Sequence, residues 1–183
     1  MYFPASSIGV LTCFDRAAPN KMKKVIDVQI GHIAAASGKT VLRSSALGSC
    51  VAIAIWDDAG GVGAMAHIML PGKSPDGKES IEKTRYAVDA IEAILEEMVV
   101  AGSACDGLEG VIVGGANVLQ KPDDTICPAN IDSALSLLGE KGISVVARAV
   151  GGIKRRGISF DLESKAVSHS QGDSEEKQLW QWT

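Results

Sequence analysis

Aromatic side chains are scarce in this chain, only 4% of 183 residues. Its core must therefore be built from Val, Ile, Leu, Ala and Met. No two cysteines stand as C-x-x-C: Cys13, Cys50, Cys105 and Cys127 are widely spaced. That spacing argues against a zinc site and a secreted disulfide framework, and fits reduced thiols in a cytoplasm. There is no basic surplus, the net charge being −4, so nothing favours a nucleic-acid partner. No apolar run approaches the ~20 residues that a helix needs to cross a bilayer, which argues against direct membrane insertion. Histidines number three, so imidazole chemistry falls on His32, His67 or His169.

What is present is an ordinary globular composition, 46% hydrophobic and 22% charged. The length fits one domain with a proper core. Ile8 to Phe14 is weakly apolar and lacks a preceding basic region, which is too poor for a signal peptide. Met22-Lys23-Lys24-Val25 reads as a chain start running into a strand. Residues 1–23 are accordingly expected to be an extension outside the fold, with residues 1–21 dispensable.

Hydrophobic pattern divides the rest. Val25 to Ile33 reads as a strand and Thr40 to Leu42 as a short one. Arg43 to Ser49 reads as a loop of small residues. Val51 to Trp56 is a continuous apolar strand, Asp57-Asp58-Ala59-Gly60-Gly61 a turn, and Val62 to Leu70 the returning strand. A helix is expected from Lys83 to Ala101, with Val88, Ile91, Leu95 and Met98 on one stripe and Gly102 ending it. Gly110 to Val113 reads as a buried strand closed tightly by Gly114-Gly115. A second helix is predicted from Asn130, taken as its N-cap, to Gly142. Ile143 to Val150 and Ile158 to Phe160 complete the strands, Lys154-Arg155-Arg156 reading as a solvated basic turn. Residues 169–183 read as a polar, frayed tail in which Trp180 and Trp182 have no evident partner. The expected fold is a single-domain α/β layered sandwich, with a mixed, largely antiparallel sheet and two main helices packed on it.

One segment carries chemistry. Cys50 follows Gly48-Ser49 at the mouth of a strand, and His67 lies 17 residues on in the next apolar run. A turn centred between Asp58 and Ala59 pairs Cys50 directly with His67 on one face, their Cβ atoms ~4.5–5.5 Å apart. A slip of one residue, for instance at Gly60-Gly61, would put them on opposite faces. Gly63, Met65, His67 and Met69 share one face of the second strand, and Val62, Ala64, Ala66 and Ile68 the other. The pattern permits a thiol–imidazole pair without requiring it. A lone histidine among apolar neighbours is more often structural, and a lone cysteine more often a small buried hydrophobe.

The run Ala46-Leu47-Gly48-Ser49-Cys50-Val51-Ala52, with Gly63-Ala64-Met65-Ala66-His67-Ile68-Met69-Leu70-Pro71, resembles the CheD chemoreceptor glutamine deamidases. Collinear matches extend the resemblance over residues 24–168: Arg85-Tyr86-Ala87, Gly114-Gly115-Ala116-Asn117, Asn130-Ile131, Gly142-Ile143, and Gly151-Gly152 followed by Arg155-Arg156-Gly157-Ile158-Ser159-Phe160. The resemblance implies a cytoplasmic enzyme that hydrolyses receptor glutamine amides to glutamate without metal or other cofactor. The family's nucleophile falls on Cys50 and its base on His67. Its third member, usually threonine, falls on Ser44, with Ser45 beside it as a competitor. Backbone N–H groups near Ser49 and Cys50 are candidates for the oxyanion site, with Gly48 expected to supply the conformational freedom that lets the turn bring them close to substrate, and His67 is expected to hold Cys50 as thiolate. Implied partners are a methyl-accepting chemoreceptor and a CheC-type phosphatase. The alternatives are a non-catalytic CheC- or receptor-binding adaptor, or a Cys-His amidase with a different substrate.

Overall fold

The computed structural model describes residues 22–77 and 79–183. Ten strands form two five-stranded sheets. They are β1 (Lys24–Asp27), β2 (Ile33–Ser37), β3 (Thr40–Leu47), β4 (Val51–Asp57), β5 (Val62–Ile68), β6 (Glu109–Gly114), β7 (Ser144–Val150), β8 (Arg156–Asp161), β9 (Ala166–Gln171) and β10 (Lys177–Gln181). One sheet runs β1-β3-β8-β9-β10 and the other β2-β5-β4-β6-β7. Pairing is antiparallel except for β1 with β3 and β6 with β7. The helices are the short α1 (Ser80–Lys83), α2 (Ala87–Val100) and α3 (Ile126–Glu140). The expected sandwich is present, its strands divided between two sheets.

Alternation along β4 explains the layering. Val51, Ile53 and Ile55 point to the helices and join Ile91, Ile94, Met98, Ala134 and Leu138 in one core. Ala52, Ala54 and Trp56 point to the opposite sheet and join Leu42, Ile158, Phe160 and Val167 in another. Buried on both faces, β4 and β5 read as unbroken apolar runs. Gly63 marks where the sheets come closest: a Cβ there would run into Leu162 and Phe160 side chains.

Several local expectations are corrected. Val25 to Ile33 is not one strand; the chain turns at Gly31, whose φ is +75°. Residues 43–47, read as loop, continue β3 through a bulge between Ser44 and Leu47. There Ala46 adopts φ +60°, a conformation no residue type advertises at that position. Helix α3 starts before Asn130. Asp124 Oδ1 accepts from the N–H groups of Ile126 and Cys127, doing the capping, and Pro128 sits in the first turn where a missing N–H does no harm. Arg156 is buried, with Nη1 donating to Gly151 O at 2.5 Å, while Lys154 and Arg155 are exposed. Lys23, assigned to the extension, pairs with Asp161 at 2.5 Å and Glu163 at 3.1 Å. Residues 1–21 lie outside the described residues.

The tail is not frayed. Residue 168 falls inside β9, and β10 pairs with β9 through a bulge between Gln178 and Trp180. Trp182, 7% exposed, packs on Phe160 and Trp56 with ring centroids 5.3 and 6.2 Å away. Its Nε1 donates to Glu109 Oε2 at 2.7 Å. With few aromatics in the chain, three of them close the far end of the sandwich. Trp182→Ala is expected to cost about 3 kcal/mol and to lower the thermal midpoint by roughly 10 °C. Thermal unfolding followed by circular dichroism checks this; an unchanged midpoint would show that the tail does not close the core.

Candidate active site

Register decides whether Cys50 and His67 meet. The structure pairs Val51 with Ile68 and Ala52 with His67, so Cys50 stands opposite Met69 and not opposite His67 as expected. The cause lies in the turn. The last pair is Asp57 with Val62, which leaves the four residues Asp58 to Gly61 as the loop. Asp57 is buried there; its carboxylate accepts from Gly60 N–H at 3.0 Å and from Ser103 Oγ at 2.5 Å. Burial pushes this carboxyl up, but those bonds, with others from Ala104 and Ala59, leave it below its usual range. The pairing therefore differs from expectation by an even number of residues, and the face is kept. By strand alternation Cys50, Ala52 and His67 share the face toward the opposite sheet. Cys50 and His67 are diagonal neighbours, a relation of ~7–8 Å that long side chains can span.

His67 is 4% exposed and held from both sides. Its backbone accepts from Gly31 N–H at 2.9 Å and donates to His32 O at 3.2 Å. Its ring reaches the opposite sheet, where Nδ1 lies 2.8 Å from Ser44 Oγ. The same hydroxyl donates to Val28 O at 2.8 Å. A serine hydroxyl has one proton. With that proton committed to Val28, Ser44 accepts from Nδ1–H, and the lone pair of the imidazole falls on Nε2. Among the described residues Nε2 is buried and has no hydrogen-bond partner. Burial pushes the imidazole below its ordinary range, partly opposed by the Val28 carbonyl. Ser45 lies on the exposed side of the bulge, so of the two serines Ser44 is the one at the ring.

The segment before Cys50 is tied down by its carbonyls. Gly48 O accepts from Ala116 N–H at 2.7 Å, Cys50 O from Gly115 N–H at 2.8 Å, and Ser49 O from Asn130 Nδ2 at 2.8 Å. A Cβ on Gly114 would strike Cys50 O, so this glycine, with φ +122°, lets the end of β6 press against the cysteine. Gly48 itself has no positive φ and has ordinary room for a Cβ, against the expectation of a conformational need. With the carbonyls turned inward, the Ser49 and Cys50 N–H groups have no main-chain acceptor among the described residues. Cys50 is partly buried, and burial pushes its thiol up, with its own N–H acting the other way. Burial thus disfavours the charged form of each group, which works against the standing thiolate expected. A cleft of about 440 Å³ opens beside Ser49, rimmed by Val118, Leu119 and Ile126. Among the described residues no group of three or more His, Cys, Asp or Glu could hold a metal ion.

A family model described as CheD, chemotactic sensory transduction, matches residues 69–171. The probable chemoreceptor glutamine deamidase CheD of Chlorobium luteolum is 34% identical over 152 residues, 83% of this chain and 75% of its own. The chain belongs to the CheD family. The chemoreceptor glutamine deamidase CheD of Thermotoga maritima is 32% identical over 86% of this chain and 98% of its own. The probable CheD of Natronomonas pharaonis is 33% identical over 84% and 92%. The family model begins after His67, but a match of 152 residues within 183 includes residues 44–67 wherever it starts. Sequence reasoning takes Asn130 for a helix cap and misses both its contact with the site and the Val28 carbonyl. A carbonyl leaves no residue-type signal, and an asparagine before an apolar stripe reads as a cap.

Because burial lowers the folded-state pKa of His67, the folded protein favours the neutral ring. Its contribution to stability is present above the ordinary value of 6.5 and is lost as pH falls through the lower folded value. His67→Gln is expected to lose less stability than wild type between about pH 7 and about pH 5. Urea midpoints at both pH values measure this; His169, also pushed down, remains as a common background. Equal losses in the two proteins would contradict the buried neutral ring.

Proposed function

We propose that the chain deamidates glutamine side chains of chemoreceptors, with Cys50 as nucleophile, His67 as base and Ser44 as the residue that orients His67. The observation that carries this reading is the Ser44 hydroxyl bridging Val28 O and His67 Nδ1, which leaves Nε2 basic and unpartnered on the face that Cys50 shares. The printed names of the relatives in Chlorobium and Thermotoga, chemoreceptor glutamine deamidases, supply the substrate class.

In the proposed reaction the glutamine amide enters beside Ser49. The Cys50 proton passes to His67 Nε2 as Sγ bonds to the amide carbon. The carbonyl π pair moves onto oxygen, where the Ser49 and Cys50 N–H groups donate to the oxyanion. Each such donor is worth about 3 kcal/mol. The imidazolium then gives its proton to the leaving nitrogen, ammonia departs and a thioester remains. Water attacks that thioester, losing a proton to Nε2; the thiol is regenerated and glutamate released. Serine in place of the usual threonine keeps the hydroxyl acceptor and gives up only the methyl that restricts its rotamer. Any buried imidazole needs a partner for Nδ1, but a non-catalytic adaptor gains nothing from the buried Nε2 left unsatisfied. A CheC-type phosphatase is the proposed regulatory partner, and a cytoplasm that keeps Cys50 reduced the proposed compartment.

A receptor fragment incubated with wild type, Cys50→Ala and Ser44→Ala, with Gln-to-Glu conversion mapped by mass spectrometry, tests the reading. Wild type is expected to convert and Cys50→Ala not. Ser44→Ala is expected to lose roughly tenfold in rate, about 1.4 kcal/mol, with Ser45→Ala near wild type. Conversion retained in Cys50→Ala would overturn the mechanism, and a wild type that converts nothing would overturn the deamidase assignment.

A further inference from the structure

The ladder between β4 and β5 ends at the pair Val51 and Ile68. Cys50 and Met69 are the next residues on each side, and no β4–β5 rung fixes their separation. One side chain bridges the two segments directly. Asn130, in the second turn of α3, is 0% exposed, and its Nδ2 donates to Ser49 O at 2.8 Å and to Met69 O at 3.0 Å. Both partners are carbonyls, so the amide can only present nitrogen to them. Both amide protons are spent, one on the segment that leads into the cysteine and one on the segment that leaves the histidine strand.

The third polar atom tells what this arrangement is for. Asn130 Oδ1 is buried and has no partner among the described residues. An unsatisfied buried acceptor costs about 1–3 kcal/mol, so the amide is not held in its place by its oxygen. What it supplies among Ala134, Leu138 and Ile131 is a donor to the two carbonyls. One rigid amide thereby spans the gap where the ladder has stopped.

We propose that Asn130 is a positioning residue for the reaction: its amide clamps Ser49 to Met69 and so sets the approach of Cys50 to His67 Nε2. The proposal rests on the deamidase reading for its rate readout but not for its chemical one. Asn130→Asp keeps the shape and turns a donor toward two carbonyls into an acceptor; Asn130→Leu removes the donor to Ser49 O and Met69 O together with the unpartnered Oδ1.

Two measurements on the full chain test it. In the first, iodoacetamide labelling of Cys50 is timed across pH by peptide mapping. In the second, receptor-fragment deamidation yields kcat and KM. Both variants are expected to stay folded, to lose about tenfold or more in kcat with KM within about twofold, and to shift the pH profile of Cys50 labelling. A folded variant with wild-type kcat and labelling profile overturns the proposal, as does a loss confined to KM. Failure of both variants to fold also overturns it, since the clamp would then serve the fold. If wild type converts no receptor glutamine, the deamidase reading fails, and the labelling arm still decides the role of Asn130.

Discussion

A single proton on the Ser44 hydroxyl organises the active end of this protein. It can point at only one acceptor, and it points at Val28 O. Everything at His67 follows: the hydroxyl accepts, Nδ1 carries hydrogen, and the free lone pair of the ring falls on Nε2. That chain of consequences crosses three segments. Ser44 belongs to β3 in one sheet, His67 to β5 in the other, and Val28 to the turn between β1 and β2 that joins them. The tautomer of one ring is thus set by how two sheets are packed. Gly63, four residues before His67 on the same face, lets the sheets approach closely enough for the ring to reach across.

The second constraint is where the ladder ends. Cys50 stands one residue outside β4, and Met69 one residue outside β5. Strand ends splay unless something holds them. Here the holding is done from β6 and α3, through Gly115 and Ala116 N–H groups and the Asn130 amide, all directed at carbonyls of residues 48–50 and at Met69 O. Turning the carbonyls inward has a chemical result, since it leaves the Ser49 and Cys50 N–H groups without a main-chain acceptor among the described residues. The backbone is oriented there by what its oxygens bind.

Much of this was legible beforehand. Continuous apolar runs identified β4 and β5, and helical periodicity put Ile91 and Met98 on the buried face of α2, where Val88 and Leu95 of the same stripe are half-buried. Alternation put His67 with Met65 and Gly63 on one face. What was not legible depended on buried polar groups. Asp57 looks like an ordinary turn residue, yet its carboxylate, held by Gly60 and Ser103, lengthens the loop and moves the pairing by two. Asp124 and Pro128 start α3 early, which carries Asn130 from a cap to an interior position facing the site. Trp182 read as stray because its partners, Trp56 and Phe160, are far away in sequence. In each case the deciding contact is long-range or polar, and periodicity reports neither.

The resting charges complete the argument. Burial raises the Cys50 thiol and lowers the His67 imidazole, so both groups favour the uncharged state before substrate arrives. An ion pair held permanently at that depth would carry a desolvation penalty that the single Ser44 bond could not offset. A neutral pair avoids it, and an uncharged thiol is also less open to oxidation. In the proposed reaction that cost is moved into the chemical step, the proton travelling to Nε2 only as the sulfur bonds to carbon. The new negative charge would then lie on the amide oxygen, beside N–H groups that the inward-turned carbonyls leave without a main-chain acceptor among the described residues. On that reading charge develops where donors already wait, and the reaction has no need of a thiolate in advance.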